Sequence, residues 1–155
     1  MNNIHQQKIA ALVSEEHWTW AAYVLHVLGL FTLVTSIAGL IINYVKAGGS
    51  IEPKIDTHHR GMIRLFWIFS LLALLAFVIV MIGVVGVALS VVQGATEAGL
   101  RDLDELVRLL VDSLMQNRGV LAAAAIAGVL AVLSWIWALF RLLVGMIRLA
   151  TDKPY

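Results

Sequence analysis

Residues 65–96 read LFWIFSLLALLAFVIVMIGVVGVALSVVQGAT, a run with no Asp, Glu, Lys or Arg. A helix needs about 20 consecutive apolar residues to cross the hydrocarbon core of a bilayer. This run is longer, so it tilts or continues into the headgroup region. Its unbroken apolarity speaks against a membrane barrel, whose strands alternate in polarity. Two further windows, 18–45 and 119–140, are equally free of those four residue types. The expectation is an all-α fold, a polytopic membrane helical bundle of three transmembrane helices.

The composition agrees. Of 155 residues, 61% are hydrophobic and 14% charged, and the mean hydropathy is +0.90. Soluble domains are about 45–50% apolar and about 25% charged, so this chain has too few polar groups to cover a water-soluble fold. The length suits a single membrane domain, 1–155. No cysteine is present, which excludes disulfides, thiolate metal sites and a cysteine nucleophile. A net charge of +1 gives no reason to expect nucleic acid as a partner. The first seventeen residues are polar, with Lys8, Glu15 and Glu16. The apolar run behind them is too long for a signal-peptide core, so it reads as a retained helix.

Between the windows lie two segments of different character. The 46–64 stretch holds Gly48, Gly49, Ser50 and Pro53 among Lys46, Glu52, Lys54, Asp56 and Arg60, a polar loop. In 99–115, Leu100, Leu103, Val107, Leu110 and Leu114 recur every three or four residues. Arg101, Asp102, Asp104, Glu105, Arg108 and Asp112 fill much of the remainder. That period predicts an amphipathic helix, lying in the membrane interface or binding a partner through its leucine face.

Three spans put the N-terminus and the amphipathic segment on one side, and the 46–64 loop and C-terminal tail on the other. Seven basic residues then face four. Since basic loops stay cytoplasmic, the expected topology is N-terminus outside and C-terminus inside, in a bacterial inner membrane. Aromatic residues mark the ends: Trp18, Trp20 and Tyr23 outside; Tyr44, Phe66, Trp67, Trp137 and Phe140 inside. Small residues form a stripe on each helix, including Gly29, Ser36, Gly39 and Asn43 in the first. Such stripes allow close backbone approach where lipid supplies no hydrophobic drive. They serve intramolecular packing or, alternatively, a homo-oligomer seam.

Candidate chemistry concentrates at the inner face. His58, His59, Arg60 and Arg64 share it with Arg141, Arg148 and Lys153, an interfacial polar site suited to an anionic headgroup. Adjacent histidines on a helix diverge by about 100°, so His58 and His59 do not readily ligate one metal. A cap on the helix with headgroup contacts is the plainer reading. His26 lies within the first window, where a buried ionisable group is costly; structural hydrogen bonding is the simplest account of a neutral imidazole. No phosphate-binding glycine loop, metalloprotease motif, nucleophile elbow or in-membrane carboxylate pair is present. No catalytic residue, cofactor or metal ligand is assigned, and the chain reads as non-enzymatic.

Two stretches carry a resemblance. YVLHVLGLFTLVTSIAGLIINYVKAGG with THHRGMIRLFW, and FRLLVGMIRLATDKPY, are similar to a family of small, uncharacterised bacterial integral membrane proteins. That family is distantly related to a membrane component of the chloroplast inner-envelope protein-import machinery. The matching residues are Tyr44, Lys46, His58, His59, Arg60, Arg64, Phe66, Trp67, Arg141, Gly145, Leu149, Asp152, Lys153 and Pro154. The chain departs from the pattern in Thr57, where the family has serine, in a tail without its glycine, and in the longer 93–118 connection. The resemblance implies fold and site location more than activity.

Three functional readings follow. The first is a membrane subunit or adaptor that binds a protein partner, within a larger membrane complex, or lipid headgroups. The second is an oligomeric pore or protein-translocation component. The third is a haem- or quinone-binding redox anchor, to which His59-Arg60-Gly61 bears a weak likeness.

Overall fold

The computed structural model describes residues 2–99 and 103–155. Five helices account for nearly all of them: α1 (Asn2–Thr32), α2 (Val34–Lys46), α3 (Pro53–Ala98), α4 (Leu103–Gln116) and α5 (Arg118–Ala150). Among the described residues there is no strand. Two helices, Pro53–Glu97 and Arg118–Ala150, are long and apolar enough to cross a membrane. Only 11% of the most apolar window of each is buried, so neither is the enclosed core helix of a soluble domain.

The expected first span differs. Residues 18–45 are not one helix but the limbs of a hairpin that turns at Leu33, whose backbone takes φ 56° and ψ −45°. α1 and α2 pack on each other over this turn. The stripe of small residues supplies the reason. A Cβ on Gly29 would collide with Ser36, and one on Gly39 would lie 3.2 Å from the Ala22 carbonyl and the His26 ring. The break frees the carbonyl of Leu30, which accepts the indole N–H of Trp135 at 3.2 Å; Phe31 stacks edge-on against the same indole. At 13 residues, α2 is about 20 Å long, short of the roughly 30 Å hydrocarbon core.

The hairpin also brings together two segments that a single 18–45 helix would hold apart. Lys46 returns to Trp18, its ammonium 5.7 Å from the indole centre. The Glu15 carboxylate accepts the backbone N–H of Ile51 at 3.0 and 3.1 Å. The N-terminal helix and the loop after α2 therefore meet at one end, not opposite ends. The polar connection is also shorter than expected, since Pro53 opens α3 in the first helical turn, where its missing N–H costs nothing. Asp56 ties the loop down by accepting the Gly48 N–H at 2.6 Å and pairing with Arg60 at 2.7 Å. Gly48 has φ +83°, a conformation that glycine adopts without steric cost.

The chain forms two compact units, Met1–Ser70 with Trp135–Tyr155, and Leu71–Ser134. The core of the first unites Ala22 and Tyr23 of α1, Met62 and Leu65 of α3, and Ala138, Leu142 and Leu149 of α5. Tyr23, expected at an interfacial belt, is fully buried there.

In the second unit, Gly94 of α3 lies under the Leu109 side chain of α4, and Gly83 lies near Val120. Of the residues expected to form a partner-binding face, Val107 and Leu110 are exposed, at 53% and 44%, and Leu114 is half-buried. Leu100 lies outside the described residues, as do Arg101, Asp102 and the side chain of Leu103.

Candidate functional site: a buried histidine network beside an arginine cluster

The first unit holds a polar interior. Thr19, His26, Asn43, His58 and His59 are each at most 2% exposed, and α1, α2 and α3 contribute to one connected chain. Asn43 stands at its centre. Its amide nitrogen donates to Nε2 of His26 at 2.8 Å, and its carbonyl oxygen accepts from Nδ1 of His59 at 2.8 Å. With the amide so oriented, His26 carries its proton on Nδ1 and His59 carries one on Nδ1. Nε2 of His59 lies 3.2 Å from the Thr19 hydroxyl, which also reaches the Glu15 carbonyl at 2.9 Å.

His58 belongs to a different cluster, because the residue beside His59 on a helix points about 100° away. Its Nε2–H donates to the carbonyl of Lys153 at 2.9 Å, which leaves Nδ1 to accept from the Tyr23 hydroxyl at 2.8 Å. This fixes a neutral imidazole of one tautomer. His58 thereby clamps the C-terminal tail to α3. Two further contacts do the same. The Tyr155 N–H donates to the Thr57 hydroxyl at 3.0 Å, and Lys54 pairs with Asp152.

Tyr155 fills the space between α3 and α5. A Cβ on either Gly61 or Gly145 would overlap its ring. His58 meets the ring edge-on at 5.8 Å, and the Arg141 guanidinium stands 5.0 Å from its centre. The Tyr155 hydroxyl is buried and makes no hydrogen bond of good geometry, although the Arg141 guanidinium stands close enough to favour one. Burial raises its pKa, which nearby Arg141, Arg148 and Arg64 only partly offset; it is therefore a neutral O–H at physiological pH.

The seven residues read from sequence as one interfacial polar site thus divide. His58, Arg141, Arg148 and Lys153 gather around Tyr155, and Arg64 is close enough for its charge to act there. His59 turns away into the α1–α2 hairpin. Arg60 is exposed and engaged by Asp56, and with Arg64, Tyr44, Ala47 and Ile63 it lines a separate recess. Neither histidine is an exposed helix cap, since both are fully buried. Thr19, Tyr23 and Tyr155 were not singled out from sequence as partners of the histidines. The available signal was two hydroxyl residues and a histidine about one helical turn apart on α1 (Thr19, Tyr23, His26), a polar stripe within an apolar window.

Chemically, the histidine network is a closed one. Both ring nitrogens of His58 and of His59 face protein groups, with the single Thr19 proton serving either the Glu15 carbonyl or Nε2 of His59, and no three of His, Asp and Glu converge as metal ligands among the described residues. No family model, curated protein or solved structure matches the chain.

Proposed function

We propose that the chain is a non-enzymatic, multi-pass subunit or adaptor of a bacterial cytoplasmic membrane, holding a protein partner through α4 and lipid headgroups at its basic end. In this reading α3 and α5 cross the bilayer, and the α1–α2 hairpin enters and returns to the same face. Lys8, Lys46, Lys54, Arg60, Arg64, Arg141, Arg148 and Lys153 then share one side; Arg101, Arg108 and Arg118 are left on the other. Eight against three is a stronger bias than three spans would give, and in this reading both termini are cytoplasmic.

The observation that carries the adaptor reading is the surface of α4. Leu106, Val107, Leu110, Val111 and Met115 are all exposed, on a helix that also carries Asp104, Glu105, Arg108 and Asp112. Apolar surface on an otherwise charged helix is what a partner or a membrane interface covers.

The test is purification from native membranes in mild detergent, with the intact chain compared with the double variant Val107→Asp/Leu110→Asp. A stoichiometric partner that the variant loses supports the adaptor. A partner retained equally by both removes α4 from the interface.

A further inference from the structure

Arg141, Arg148 and Tyr155 line a recess of about 10 Å³ together with Val144 and Gly145. That is room for one oxygen-sized atom. The three polar groups have a common character. Two are guanidinium ions, which only donate, and the third is a neutral phenol whose buried hydroxyl has Arg141 beside it.

Among the described residues the ion pairs are Lys54 with Glu52 and with Asp152, and Arg60 with Asp56; Arg64, Arg141 and Arg148 take part in none. Arg141 and Arg148 are seven residues apart on α5, two helical turns, so they sit on one face. Both are exposed on their outer side, while Gly145 between them keeps the backbone clear for the Tyr155 ring. Two guanidinium groups in no ion pair, beside a one-atom recess, match an oxyanion that places one oxygen inward and the others against the guanidinium groups.

We propose that Arg141, Arg148 and the Tyr155 hydroxyl form a phosphate-binding site, with Arg64 adding to its field. Its ligand is the phosphate of an anionic glycerophospholipid headgroup or free phosphate, which share the oxyanion chemistry. The site deepens the headgroup reading above and rests on this end of the first unit meeting the membrane–water interface. The neighbouring recess lined by Val144, Ile147, Arg148, Thr151, Lys153 and Pro154 adds an apolar wall and a further cation next to it.

The test uses the full chain in a mild, phosphate-free detergent. Phosphatidic acid is titrated against diacylglycerol with the same tails, and bound lipid is counted by native mass spectrometry. Inorganic phosphate forms a separate arm. Tight binding of phosphatidic acid but not diacylglycerol is the expected result. The double variant Arg141→Gln/Arg148→Gln should weaken it more than tenfold, and Tyr155→Phe by about tenfold to a hundredfold, the range for one hydrogen bond to a charged group. Arg60→Gln, whose guanidinium is engaged elsewhere, should change it little. Tyr155→Phe keeps the ring and its packing, so an unchanged unfolding midpoint separates loss of the donor from loss of the fold.

If inorganic phosphate displaces the lipid, the oxyanion alone is recognised; if it does not, the source is the lipid. Equal retention of phosphatidic acid and diacylglycerol would overturn the site, as would an equal loss in Arg60→Gln, which would mean diffuse surface charge. A chain that stays monomeric and soluble without any amphiphile would instead sink the membrane reading itself.

Discussion

Glu15 accepts the backbone N–H of Ile51 through both carboxylate oxygens, at 3.0 and 3.1 Å, across thirty-six residues of chain. Between them α1 runs to Leu33 and α2 runs back. The contact closes the hairpin at its open end, and it decides which segments share a face.

The first prediction concerns that face. The chain has no cysteine, so single-cysteine variants report sidedness without background. Gln6→Cys, Gly49→Cys and Lys153→Cys should all resist an impermeant maleimide added outside intact cells and react once the membrane is opened. Asp104→Cys should react from outside. Opposite accessibility of Gln6→Cys and Lys153→Cys would mean that the 18–45 window crosses the membrane after all.

The second concerns Asn43, which joins α2 to both α1 and α3. Asn43→Leu removes two hydrogen bonds and leaves Nε2 of His26 and Nδ1–H of His59 without partners in a dry interior. An orphaned buried polar group costs about 1–3 kcal/mol, whereas hydrogen bonds between membrane helices average about 0.6 kcal/mol. The loss should therefore fall near 2 kcal/mol, read from denaturant unfolding in detergent. Asn117→Leu, in the link between α4 and α5, is the comparison and should not disturb the histidines. A loss under about 0.5 kcal/mol at Asn43 would mean that water reaches the network.

The third concerns Leu33. Its φ of 56° is a conformation that side chains disfavour, and the leucine is exposed, so little packing holds it there. Leu33→Gly should leave the hairpin intact and stabilise it by up to about 1 kcal/mol, offset in part by the greater freedom of glycine in the unfolded chain. The same unfolding assay reads it. Clear destabilisation would mean that the Leu33 side chain holds the turn.

How much of this was legible beforehand varies element by element. α3 and α5 were plain in their charge-free runs, because an apolar helix exposed along most of its length needs a nonaqueous solvent whatever it packs against. α4 was plain too, from the spacing of Val107, Leu110 and Leu114. The 18–45 window carried the same apolar signal but folds as a hairpin. Its small residues, read as a stripe on one helix, are two facing stripes, with Gly29 against Ser36 and Gly39 against Ala22 and His26. Hydropathy is blind to a turn that costs no polar residue. Leu33 gives no glycine or proline to mark it, and the freed Leu30 carbonyl is satisfied by Trp135, more than a hundred residues away.

The candidate site divides in the same way. Composition and order along the chain determined that this protein is helical and apolar, and that its cations crowd near particular helix ends, because those properties depend on each residue and its near neighbours. Only the tertiary structure decided that His59 faces Asn43 while His58 faces Tyr23 and the tail, and that Tyr155 shares one recess with Arg141 and Arg148. Those pairings join residues 16 to about 100 positions apart, and their partners are chosen by where the hairpin folds back and where Gly61 and Gly145 leave room, which no local pattern encodes.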